Sequence, residues 1–61
     1  MHKIFDCIPV DGKLVIRCDG WWFVEVYEEE YDAYPLASYN HPELSVAMDM
    51  VAEQLEGERD E

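Results

Sequence analysis

The sequence predicts an α+β domain: an antiparallel three- to four-stranded β-meander covered on one face by a single C-terminal α-helix. Three observations carry this. Two Asp-Gly pairs, Asp11-Gly12 and Asp19-Gly20, each sit between apolar runs, and Asp-Gly supplies the positive φ angles that a tight hairpin needs. Apolar side chains recur at helical spacing over residues 43–56, behind an Asn-Pro start. The length, 61 residues, fits one small domain, 1–61, with one layer packed on another.

Taken in order, residues 3–10 (KIFDCIPV) read as a first strand, placed at an edge because Pro9 has no N–H to donate to a ladder. A two-residue loop at Asp11-Gly12 then sets Val10 opposite Lys13, Ile8 opposite Val15 and Asp6 opposite Arg17, an ion pair. Strands over 13–18 and 21–27 follow, joined at Asp19-Gly20. A type I′ turn there puts Cys18 opposite Trp21, Ile16 opposite Phe23 and Val15 opposite Val24. Side chains alternate between the faces of a strand. This register therefore gives a core face of Phe5, Cys7, Pro9, Leu14, Ile16, Cys18, Trp21 and Phe23. The second face carries Ile4, Ile8, Val10, Val15, Trp22, Val24 and Val26. It is too apolar for a solvated surface: either a loop, the tail of the fourth strand or the N-terminus folds over it, or Ile8, Val15, Trp22, Val24 and Val26 form a candidate apolar interface. A homodimer is one way to fill it.

Residues 28–32 form an acidic turn, EEEYD. The stretch 33–38 alternates well enough for an edge strand, although Pro35 argues for an extended loop. Asn40 is a competent cap, Pro42 suits a first helical turn and Glu43 suits the positive end of the helix dipole. Over the helix, 42–56, Leu44, Ala47, Met48, Val51 and Leu55 fall in one arc that should face the sheet, with Asp49, Glu53 and Glu56 on the opposite side. Gly57 is read as the stop, and 57–61 as a frayed polar tail.

The charge is uneven. Four Lys and Arg stand against 15 Asp and Glu, for a net charge of -11. Residues 1–27 hold four acids and three bases, a net of -1, whereas residues 28–61 hold eleven acids and Arg59, a net of -10. Direct nucleic-acid binding rests on cationic contacts to phosphates, which this chain cannot supply, and an anionic membrane is disfavoured for the same reason. Acids without interspersed Lys or Arg at i,i+4 instead point to a basic partner. Glu28, Glu29, Glu30, Asp32, Asp49, Glu53 and Glu56 are the candidate contact residues, directed at the basic surface of a nucleic-acid-handling protein. Tyr31, Tyr34 and Tyr39 are either core-rim aromatics or interface anchors.

No enzyme chemistry is expected. His2, His41, Cys7 and Cys18 do not fall at metal-ligand spacing, the 28–32 run lacks the pattern of an EF-hand loop, and there is no Gly-rich phosphate loop, so no metal or cofactor is assigned. The carboxylates sit in predicted solvent, where nothing raises a pKa for acid-base work. Both cysteines are read as reduced core residues. The first ten residues carry Asp6 and Pro9 and lack the apolar core of a secretory signal, so the cytoplasm is the expected compartment.

Two resemblances bear on function. The run DGWWFVEV, a polar loop and a strand ending near YNHPEL before an amphipathic helix make residues 14–56 similar to the N-terminal half of HicB-type antitoxins. That likeness implies masking of a small RNA-cleaving toxin; it departs at EEEYDAY, which replaces the family's usual Pro and Gly-Cys stretch. In size and lopsided acidity the chain also resembles small phage-encoded inhibitors, nucleic-acid mimics and anti-CRISPR proteins among them. This second likeness implies stoichiometric inhibition, in the cytoplasm of an infected host, of a CRISPR effector, nuclease or polymerase through its cationic site.

Overall fold

The structure, a computed structural model, describes residues 2–59, with side chains for 2–57. A 3-10 helix (Lys3–Asp6) is followed by strands β1 (Lys13–Asp19), β2 (Trp21–Tyr27) and β3 (Ala37–His41), and by one helix, α1 (Leu44–Arg59). The strands form an antiparallel sheet in the order β1-β2-β3, and α1 packs on β2 and β3. The α+β meander with one C-terminal helix is therefore present, built from three strands.

The first predicted strand is instead a single helical turn. The His2 ring accepts the Ile4 N–H at 3.0 Å through Nδ1, and the Phe5 and Cys7 amides bond back to the His2 and Ile4 carbonyls. These local bonds satisfy the backbone without a ladder, and they insert Ile4, fully buried, beneath α1. Gly12 does close a turn, donating to the Pro9 carbonyl at 3.0 Å, but no strand precedes it. A Cβ on Gly12 would sit 2.2 Å from the Tyr27 carbonyl oxygen, so this residue is needed for close approach. Asp6 has no cross-strand position, and Arg17 pairs with Glu25 instead, at 3.5 Å.

The β1–β2 hairpin forms where predicted, one residue out of the predicted register. Gly20, at φ 79°, is the one residue with positive φ among those described, so the two-position requirement of a type I′ turn is unmet. Cys18 faces Trp22, Ile16 faces Val24 and Leu14 faces Val26. A slip of one residue exchanges the faces. Val24 and Val26, predicted on the second face, are fully buried against α1, whereas Trp21 and Phe23 lie on the open face with Arg17 stacked 5.1 Å over the Phe23 ring. The exchange suits packing: small and β-branched side chains, Val24, Val26 and Ala37, let the helix approach through Ala47, Val51 and Ala52. Bulky rings are left to the face where Arg17 and Lys13 cover them. Cys7 is buried as expected, but Cys18 is exposed.

β3 begins only after Pro35, and extends to His41 rather than ending at Ser38. Its start is fixed by the Leu36 N–H bonding the Val26 carbonyl at 2.7 Å. Asn40 and His41 are thus strand residues and not helix entry. Glu43 stands at the N-cap, its carbonyl accepting the Ala47 amide while the His41 Nδ1 accepts its own N–H. The predicted apolar arc meets the sheet: Ala47, Met48, Val51 and Leu55 are buried, joined by Ala52, and Leu44 is half-buried beside them. Helix continues through Gly57 to Arg59; residues 60 and 61 of the predicted tail lie outside the described residues.

Candidate protein-binding surface

The acidic turn stands well out from the fold. Glu28, Glu29 and Glu30 are exposed, and Tyr31 and Tyr34 beside them retain 91% and 84% of their accessible surface. The turn is nonetheless internally fixed. Asp32 donates its amide to the Glu29 carbonyl at 3.2 Å, and its side-chain Oδ2 accepts the Glu29 N–H at 3.2 Å. The two bonds close the turn on itself, and they give Asp32 a positioning part while Glu28, Glu29 and Glu30 face outward. None of the three has a Lys, Arg or His partner among the described side chains.

The helix acids are arranged differently. Asp49 accepts a hydrogen bond of 2.6 Å from the His2 ring; because Nδ1 takes the Ile4 amide, Nε2 carries the hydrogen. Glu56 lies 3.9 Å from the Lys3 ammonium. The N-terminal turn thus lays its His2 and Lys3 side chains on the acidic stripe of α1, and these are the counter-groups that the i,i+4 pattern of the helix lacks. Glu53 is exposed without such a partner among the described residues. Gln54 donates to the Ser38 carbonyl at 3.0 Å, and Leu55 and Leu36 line one cleft. The second half of α1, with Glu53 and Glu56, therefore lies toward the same end of the molecule as the acidic turn.

The five residues read as an apolar interface do not share a surface. Val24 and Val26 are core, Trp22 is half-buried on the helix side of the sheet, and Val15 is half-buried on the open side. Ile8 lines a cleft of about 260 Å³ with Cys7, Pro9, Val10, Leu36 and Leu55, all but one of them without a polar side-chain atom. Ligand sites are usually larger and carry convergent polar groups. On the open face, Glu25 accepts from Arg17 at 3.5 Å and from the Tyr27 hydroxyl at 3.4 Å, and Lys13 lies 5.0 Å over the Tyr27 ring.

Sequence patterns do not disclose the inward use of Asp32, the clamp of His2 and Lys3 on α1, or the near-complete exposure of Tyr31 and Tyr34. Two tyrosines flanking Asp32-Ala33, next to Pro35, are the signal for the last, since a Pro-limited loop has no sheet face to bury them. Among the described residues no helix is long and apolar enough to cross a membrane, and no three His, Cys, Asp or Glu side chains cluster to hold a metal ion. No family model, curated protein or solved structure matches the chain.

Proposed function

We propose that this chain is a stoichiometric binding protein of the cytoplasm that occupies the cationic site of a nucleic-acid-handling protein and thereby inhibits it. The observation that carries the reading is the loop at 28–34: three outward carboxylates and two almost fully exposed tyrosines, with the turn at 28–32 held by its own hydrogen bonds. A site built for phosphates presents Lys and Arg, and both ligand types satisfy it, because carboxylates accept the same charge-assisted hydrogen bonds. Preorganisation lowers the entropy cost of docking. Tyrosine adds a large, rigid contact and stacks where bases or guanidinium groups would. Glu53 extends the acidic field at the same end, whereas Asp49 and Glu56 already have intramolecular partners and contribute less.

Capture from host lysate on immobilised wild-type chain tests this. The retained protein should bind DNA or RNA, release in raised salt, and release on addition of its nucleic acid. A Glu28→Lys, Glu29→Lys, Glu30→Lys variant should retain none of it. Undiminished capture by that variant would overturn the proposal, and so would a retained protein with no nucleic-acid site.

A further inference from the structure

We infer that the free edge of β1 is a self-recognition surface, pairing antiparallel with β1 of a second copy about a two-fold axis at Ile16. β1 is an outer strand of the sheet, paired on one side only, and α1 packs on β2 and β3 rather than across it. From Ile16 to Asp19 it is exposed on both faces, with Ile16 retaining 39% of its surface. An uncovered edge of seven residues with β-branched Val15 and Ile16 at its centre is a template for another strand.

The identity of the occupant follows from the sequence of the strand, Lys13-Leu14-Val15-Ile16-Arg17-Cys18-Asp19. Folded on itself about Ile16 it is complementary. Lys13 meets Asp19 of the second copy, and the pair occurs twice by symmetry. Leu14 meets Cys18, Val15 meets Arg17 and Ile16 meets its own equivalent. Side-chain alternation sorts these pairs: Leu14, Ile16 and Cys18 lie on the helix side of the sheet, opposite Val26, Val24 and Trp22, while Val15, Arg17 and both Lys13–Asp19 pairs lie on the open side. A two-fold axis perpendicular to the sheet then joins two three-stranded sheets into one of six strands, with both helices on the same side.

Charge permits the contact even though each chain carries -11. The acids are concentrated after Tyr27, and Tyr27 pairs with Lys13 at one end of β1. Antiparallel pairing places that end beside the hairpin tip of the other copy, so the two acidic turns lie at opposite ends of the joined sheet. The remaining repulsion is long-range and screened by salt. Self-association should therefore strengthen as salt rises, the reverse of the salt response of the acidic turn toward a cationic partner.

The test combines sedimentation with cross-linking in this register. Wild-type chain should pass from monomer to dimer between micromolar and millimolar concentration, with a lower Kd in raised salt. Opposed residues across an antiparallel pair have Cα atoms about 4.5–5.5 Å apart, within disulfide reach. An Ile16→Cys, Cys18→Ser variant should thus oxidise to a covalent dimer, while wild-type, whose Cys18 faces Leu14, should not. Lys13→Asp should raise Kd about tenfold by setting two acid pairs in place of two ion pairs, and adding Asp19→Lys should restore it. Ile16→Lys gives a second check, since its exposed position keeps the fold while like charges meet at the axis. A monomer throughout the range would overturn the inference, as would a dimer insensitive to Ile16→Lys or cross-linked through Cys18 alone. The Glu28→Lys, Glu29→Lys, Glu30→Lys variant should still dimerise, which separates this inference from the proposed function.

Discussion

Val15 and Val24 provide a matched test of the hairpin register, because a two-residue turn puts them opposite one another on one face and the structure puts them on opposite faces. Val24 is fully buried between β1, β3 and α1, whereas Val15 is half-buried on the open side, opposite Glu25. Truncation to Ala removes two carbons, worth about 1.6 kcal/mol when fully buried. The cavity left under a packed helix brings Val24→Ala to about 2–3 kcal/mol. Half-burial with no helix above it leaves Val15→Ala at about 0.5–1 kcal/mol. For a domain of 61 residues, total stability is about 3–9 kcal/mol, so the first substitution removes a large share and the second a small one. Each kcal/mol shifts Tm by about 4–8 °C in a domain of this size, so Val24→Ala should melt about 8–24 °C below wild-type. Urea unfolding followed by circular dichroism, at micromolar protein and low salt to keep the β1 edge free, gives both differences. Equal losses, or a larger loss for Val15→Ala, would refute the assigned register and the burial argument built on it.

Two further substitutions probe the contacts that sequence patterns did not disclose. Gly12→Ala should cost about 1–3 kcal/mol, since the new Cβ meets the Tyr27 carbonyl oxygen and one backbone must shift; thermal melts that overlay wild-type would rule out that approach. His2→Phe removes the cap on the Ile4 amide and the bond to Asp49, a loss of about 1–2 kcal/mol. Hydrogen exchange should then rise at Ile4 and Phe5 before it rises in β2.

The helix and the central hairpin are legible in the sequence because their signals are local. Leu44, Ala47, Met48, Val51 and Leu55 keep helical spacing whatever they pack on, and an apolar run on each side of Asp19-Gly20 folds back at that point. The register was harder to read, since parity hangs on the turn type, and Asp19 keeps a negative φ that composition does not reveal. Once parity shifts, a face of Phe23 and Trp21 and a face of Val24 and Val26 look equally apolar. Helix packing decides between them, and that is a tertiary effect. The N-terminal turn was hidden for a related reason: Ile4 and Ile8 fit a strand, while the His2 ring that closes the helical turn is not recognisable as a cap until Asp49 is beside it. For the acidic surface, the turn at 28–32 follows directly from composition, but the division between free acids and those already held by His2 and Lys3 depends on residues about fifty positions apart in the chain.

Displacement of nucleic acid from the captured protein tests the central claim most directly. Labelled DNA or RNA bound to that protein is followed by fluorescence anisotropy as the acidic chain is added. Stoichiometric release is predicted, weakening as salt rises and absent for the Glu28→Lys, Glu29→Lys, Glu30→Lys variant at unchanged fold. A stable ternary complex with the nucleic acid still in place, or equal displacement by the variant, would contradict it.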